Sequence, residues 1–255
     1  IINIWNKLNY LSFKRANYIF TLSNEMSSSI KKYLPNNKIS NEKVKVIEPW
    51  FSPYKFLENS NKNNLLKKFK DTKRLLIVYS GNIGISHPLE IIINAIPKLK
   101  KHAKFIIISE GKEFEKLKRK ATLLNIKKKD IDFINRLKEH DFFASFPAID
   151  LSIVALDKFA SKSSLPSKIF NSLYFGKAII GLSFQNSSLS NLIEKYKCGF
   201  NIEPKNENIS FLKEKIKFLN ENRDEVEKIS KNAKLASNNF KPDNVKKLIK
   251  LWLKN

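Results

Sequence analysis

The sequence has one cysteine, Cys198, and one methionine, Met26, in 255 residues. A lone thiol excludes an internal disulfide framework and fits a reducing compartment, so a cytoplasmic protein is expected. Histidine is almost as scarce. His87, His102 and His140 stand apart without ligand spacing, and no metal site is expected. No stretch approaches the roughly 18 consecutive apolar residues of a membrane span, and no segment resembles a signal peptide. The first residue is Ile1 rather than Met, so part of the start is expected to be missing. Glycine occurs only six times, and two of the six fall in one loop, at Gly81 and Gly84. Arginine supplies only five of the 48 basic residues.

What is abundant is lysine, against 24 acidic residues, for a net charge of +24. Such an excess raises nucleic acid or an anionic membrane as partner. The lysines, however, are spread over most helical segments, and Asn and Ile are abundant too, the bias of an A/T-rich coding sequence. Nucleic-acid readers favour arginine forks and a localised patch, so no nucleic-acid partner is expected. Peripheral contact with an acidic membrane stays compatible, at about 1 kcal/mol per lysine. The 42% apolar content is enough for one large or two small domains.

Periodicity supplies the rest. Residues 1–15 read as a helix with Trp5, Leu8, Leu11 and Phe13 on an uneven apolar side. Tyr18 to Leu22 reads as a strand, Ser23 as the cap of a helix carrying Met26, Ile30, Tyr33 and Leu34, and Val44 to Ile47 as a second strand. The segment 59–74, polar and basic, reads as a linker with a short helix. Strands are then expected at 75–79, 105–108, 131–134, 151–156 and 178–181, with helices at 89–99, 113–124, 141–146 and 189–196 between and after them. Short apolar strands alternating with helices mean a parallel sheet covered on both faces. The tail is helical around Ile209 to Leu219 and again at Val245 to Trp252.

Chemistry is expected where such a sheet's strands end. Tyr79-Ser80-Gly81-Asn82-Ile83-Gly84 follows the first strand, and glycine there lets backbone approach a ligand closely. It is neither a dinucleotide fingerprint nor a Walker loop. Ser109-Glu110-Gly111 follows the second strand and Asn135-Arg136 the third. Ser161 to Ser183 then runs loop, helix, turn and buried strand. In it Leu165-Pro166-Ser167-Lys168 has the form of a helix start, with Ser167 able to cap free N–H groups and Lys168 adding a mobile charge to a phosphate seat.

These motifs, in this order, resemble the group 4 branch of bacterial GT-B glycosyltransferases, the two-Rossmann-domain enzymes that build O-antigen, capsule and slime polysaccharides. Pro166-Ser167-Lys168 with Gly176-Lys177 matches its "PSK, helix, G-K-P" segment, with Ala178 where Pro is usual. Ala16 to Ser23 and Lys43 to Ile47 resemble the end of the first domain. The resemblance implies an α/β fold: a Rossmann-like parallel-sheet domain (the GT-B C-terminal half) with a short remnant of a first Rossmann-like domain. The implied boundaries are 1–58 for the end of the acceptor domain, 59–74 for the linker, 75–240 for the nucleotide-sugar domain and 241–255 for a helix crossing back.

The same resemblance implies sugar transfer from a nucleotide-sugar donor to a lipid-linked or growing glycan acceptor, retaining, without a metal or other cofactor, at the inner face of the plasma membrane. The implied donor-binding residues are Gly81, Asn82, Gly84, Gly111, Arg136, Leu165, Pro166, Ser167, Lys168 and Asn171; no catalytic residue is assigned. Relatives carry an Arg and a Lys where this chain has Asn82 and His87, and two Glu where it has Ser163 and Asn171. Those departures keep two alternatives open: a non-catalytic or split-enzyme module working with a separate N-terminal half, and a sugar-nucleotide epimerase of the same fold.

Overall fold

The computed structural model describes residues 2–31, 43–51, 65–84 and 88–253. Chain order begins with helix α1 (Ile2–Arg15), strand β1 (Ile19–Thr21), helix α2 (Asn24–Lys31) and strand β2 (Val44–Val46). β1 and β2 pair in parallel as a small two-stranded sheet. Ser23 caps α2 as expected, its Oγ accepting from the Met26 N–H at 3.2 Å. Tyr33 and Leu34, also expected on that helix, lie outside the described residues, as does the loop expected at 35–41.

The main body alternates β3 (Leu75–Ser80), α3 (Glu90–Leu99), β4 (Ala103–Ile108), α4 (Lys112–Leu123), β5 (Ile131–Ile134), α5 (Glu139–Ser145) and β6 (Leu151–Ala155). It continues through α6 (Ala160–Ser163), α7 (Lys168–Tyr174), β7 (Ala178–Leu182), α8 (Ser188–Tyr196), β8 (Gly199–Ile202), α9 (Ile209–Glu221), α10 (Arg223–Ala236) and α11 (Asn244–Trp252). All six strands of this body pair in parallel, in the order β5-β4-β3-β6-β7-β8. The order reverses between β3 and β6, which opens a crevice beyond their carboxyl ends.

Burial on both faces explains why the strands read as apolar runs: every residue of β6 and β7 is buried. One face packs under α3, α4 and α9 through Ile92, Ile96, Phe114, Leu212 and Ile216. The other meets α7, α8 and α10, and a separate aromatic cluster around Phe143 and Phe146 covers β3 and β4. Cys198 is buried, and burial pushes its thiol up to about 12, so it is an inert core residue. Among the described residues, no helix is long and apolar enough to cross a membrane.

The N-terminal block and the last helix meet. The Asn244 amide donates to the Pro49 carbonyl at 3.3 Å, and Lys247 pairs with Glu48 at 3.0 Å. The Phe51 N–H donates to the Phe240 carbonyl. Of the segment 59–74, residues 65–74 are described; Leu66 is fully buried and Lys67–Phe69 forms a single 3-10 turn.

Candidate functional site

Beyond the carboxyl ends of β3, β4 and β5 lies a cleft of about 700 Å³. Its floor is Ser80, Gly81, Ile108 and Ser109; Lys168 and Asn171 of α7 form one wall, Arg136 and the Phe142 and Phe143 rings the other. A cavity of similar size, about 750 Å³, sits at the opposite end of the sheet around Arg74 and Asp130. The switch-point position and the chemistry below favour the first as the ligand site.

Lys168 is the first residue of α7, and its side chain crosses the Gly81 loop. Its Nζ donates to Tyr79 Oη at 2.7 Å and to the Asn82 carbonyl at 3.2 Å, and sits 4.5 Å from the centre of the Tyr79 ring. The Tyr79 hydroxyl in turn donates to the same carbonyl at 3.0 Å. Gly81 makes the crossing possible. Its φ is +124°, and a Cβ there would lie 2.7 Å from Lys168 Nζ and overlap Cε.

Among the described residues no carboxylate bonds this ammonium, and burial pushes it down to about 8. Burial alone moves the Tyr79 phenol in the opposite sense, well above its ordinary value, so it stays a neutral partner. Two of the three ammonium protons are used. The third is available to an anion in the cleft, which would restore the charge that burial disfavours.

Two further polar atoms lack a partner among the described residues: Ser109 Oγ and Asn171 Oδ1, both buried and both on residues lining the cleft. Buried orphan acceptors cost about 1–3 kcal/mol each unless a ligand or water satisfies them. Their convergence marks a surface suited to hydroxyl or amide donors.

Arg136 is exposed and paired with Glu110 at 3.5 Å, which reduces its availability to an anion. Glu139 is the one carboxylate lining the cleft among the described residues. Among those residues, no three His, Cys, Asp or Glu side chains converge to hold a metal ion.

The structure therefore brings Gly81, Asn82, Arg136, Lys168 and Asn171 to one cleft. Gly84, Gly111, Pro166 and Ser167 are not among its lining residues, and Leu165 instead lines a smaller cavity against Glu25 and Tyr196. His87 lies outside the described residues. The expected Ser167 cap is corrected: the residue adopts φ −60° and ψ −25°, already helical, and its side chain makes no capping bond. A capping serine needs extended backbone to aim its oxygen at the first turn. Tyr79 was missed, because a tyrosine inside an apolar strand reads only as core.

A model of the family described as "Glycosyl transferases group 1" matches residues 61–236. The chain belongs to this family. A search of curated protein sequences returns no match. Solved structures match along the whole chain. HepE of Anabaena, in complex with UDP and glucose, aligns with a TM-score of 0.77 at 16% identity, over 98% of this chain and 66% of its own. A glycosyltransferase of Rickettsia africae gives 0.76 at 18% identity, covering 100% of this chain and 67% of its own. Sucrose-phosphate synthase of Thermosynechococcus elongatus gives 0.76 at 10% identity, covering 99% and 61%. The chain thus spans about two thirds of the length of HepE. These likenesses place this group 1 family member in the GT-B fold, with its main sheet as the Rossmann-like C-terminal domain.

Proposed function

We propose that the cleft binds the nucleoside diphosphate portion of a nucleotide-sugar, and that the chain serves a glycosyltransferase acting on a lipid-linked or growing glycan acceptor in surface polysaccharide synthesis. The observation that carries this reading is the Lys168 ammonium, desolvated, held by Tyr79 and Asn82 at the cleft, and bonded to no carboxylate among the described residues. An anion resolves that arrangement. The group 1 family match and the UDP held by HepE support a nucleoside diphosphate as the anion.

In transfer, the bond from the anomeric carbon to the β-phosphate oxygen breaks and the diphosphate leaves with the electron pair. The acceptor hydroxyl bonds to the same carbon, and its proton passes to the departing diphosphate oxygen. Lys168 and the backbone around Gly81 would stabilise the leaving charge, the largest single contribution such a site can make. Asn171 Oδ1 and Ser109 Oγ would accept from donor hydroxyls or the base. The group 4 branch, a retaining outcome and metal-independent chemistry belong to the same proposal, as do the domain boundaries at 58, 74 and 240 and a location at the inner face of the membrane. That Glu139 is the one carboxylate lining the cleft among the described residues favours transfer over an epimerase needing acid and base from opposed groups.

Calorimetry with UDP, GDP and their sugars tests the binding reading, and radiolabelled sugar transfer to membrane extracts tests the reaction. Micromolar to millimolar binding of one diphosphate, lost on adding Lys168→Ala, is the expected result. Absence of binding to either nucleotide, with the fold intact, would refute it.

A further inference from the structure

We propose that the amino-terminal end of the main sheet, opposite the cleft, is a docking surface for an anionic lipid bilayer. Lys100, Lys101, Lys127, Lys128 and Lys129 form its charge, and Leu123 and Leu124 form an apolar knuckle beside them. This goes beyond the donor-site reading by locating the membrane contact that reading only implies.

One half-buried side chain holds the surface together. Arg74, just before β3, donates through Nη1 to the Lys100 carbonyl at 3.3 Å and through Nη2 to the Lys129 carbonyl at 3.2 Å. It also pairs with Asp71 at 3.0 Å and with the buried Asp130 at 3.2 Å. A single guanidinium thus fixes the loop before β4 beside the loop before β5, each loaded with lysine. Among the described residues, none of the five lysines forms an ion pair. Burial holds the neighbouring Lys104 below its ordinary value; Asp132 and Asp130 oppose that shift, and Arg74 and Lys128 add to it. Of the acids nearby, Asp71 and Asp130 are both occupied by Arg74, and Asp132 accepts from the Phe133 N–H.

The apolar component lies on the same rim. α4 ends at Leu123, which is 82% exposed, and Leu124 follows at 42%. Asn125 then turns the chain in left-handed conformation, with φ 51°, and three consecutive lysines come after Ile126. Leu124, Ile126, Lys127 and Lys129 line the 750 Å³ groove with Lys100 and Lys101. Exposed leucines flanked by lysines suit a bilayer interface, where tails take the leucines and acidic headgroups the ammonium groups. Nucleic acid is disfavoured: the described residues lining the groove include no aromatic ring for base stacking, and the one arginine among them, Arg74, is bonded within the protein.

The geometry also constrains the acceptor. Strands of six residues separate this rim from the cleft, about 20 Å along the sheet. A domain docked here presents its cleft away from the headgroups, toward the sugar end of a chain rather than its lipid.

The test is co-sedimentation of the full chain with neutral phosphatidylcholine vesicles and with vesicles containing phosphatidylglycerol, at low and high salt. Nucleotide binding is followed in parallel. Binding to the acidic vesicles only is expected. Lys127→Ala, Lys128→Ala and Lys129→Ala together should weaken it on the order of a hundredfold, about fivefold per lysine. The charge-matched set Lys112→Ala, Lys158→Ala and Lys205→Ala, at the other end of the sheet, should weaken it far less. Leu123→Ser with Leu124→Ser should reduce the binding that survives high salt, at unchanged melting temperature and unchanged nucleotide affinity.

Equal loss from both lysine sets would overturn the surface and leave only diffuse charge. So would binding to neutral vesicles alone, or binding to duplex DNA but to no vesicle. No effect of the serine pair would overturn the leucine insertion. Nucleotide binding lost while vesicle binding persists would refute the donor site and leave the docking surface standing.

Discussion

Gly81→Ala should separate the cost of a strained turn from the loss of a ligand contact. The backbone at this position has φ +124°, outside the region that alanine adopts without strain. That strain should cost about 1–3 kcal/mol of stability. The added Cβ also overlaps Lys168 Cε. The lysine tip is flexible, so relief is cheap in folding energy: the side chain leaves its seat. Its ammonium then loses Tyr79 Oη at 2.7 Å and the Asn82 carbonyl at 3.2 Å, and no longer points into the cleft. One charge-assisted contact to a phosphate oxygen is worth about 1.5–3 kcal/mol, so nucleotide affinity should fall roughly 10- to 150-fold.

A double-mutant cycle with Lys168→Ala decides the cause. If displacement of Lys168 carries the binding loss, Gly81→Ala should add little to it once the lysine is gone. The folding cost should persist in both backgrounds, about 2–4 °C of melting temperature per kcal/mol for a domain of this size. Calorimetry with UDP, alongside thermal unfolding, reads both quantities. Full additivity of the binding losses would show that Gly81 and Lys168 act separately and that the crossing has no bearing on the ligand.

Lys168 should also set opposite pH dependences for stability and binding. Its folded pKa of about 8 lies below the ordinary 10.5, so the unfolded chain holds the proton longer and this group's cost to folding is relieved as pH rises from 8 to 10.5. Lys168→Met should therefore raise the melting temperature at pH 7 and lose that advantage by pH 10.5, while nucleotide affinity of the unmodified chain falls above pH 8; a stability gain that persists at pH 10.5 would refute the burial account. Asn171→Ala removes a buried unpartnered oxygen, so stability should hold or rise while donor affinity drops about tenfold; a clear loss of stability would show that Oδ1 is satisfied within the fold. Arg74→Ala should cost about 3–5 kcal/mol in urea unfolding, because Asp130 is left buried and unpaired.

The parts of the fold legible in the sequence were those whose burial is uniform. β4, β6 and β7 are apolar along nearly their full length because helices cover both faces, and a run such as Ala178 to Leu182 needs no partner to be recognised. β8 escaped notice for the converse reason. It is an edge strand, three of its four residues are half-buried, and Asn201 uses its side chain to bind Ser183. α10 was missed as well. Its buried side is Val226, Ala233 and Ala236, a stripe too small in volume to show as periodicity against a lysine-rich background.

The site divides along the same line between local and distant information. Gly81 was legible as a glycine at a strand end, and Lys168 as a cation at a helix start. What neither position disclosed is that they form one device. Tyr79 and Lys168 are 89 residues apart, and the ammonium reaches its seat only because Gly81 has no side chain in between. Relatives place an Arg and a Lys in the loop after the first strand, and the sequence here, with Asn82 there, suggested a loss of cationic character. The geometry supplies one cation to the same loop from another helix, with the Asn82 carbonyl as its anchor rather than a competing charge. A residue-by-residue comparison counts a missing arginine, whereas the cleft depends on where charge arrives and on how little water surrounds it.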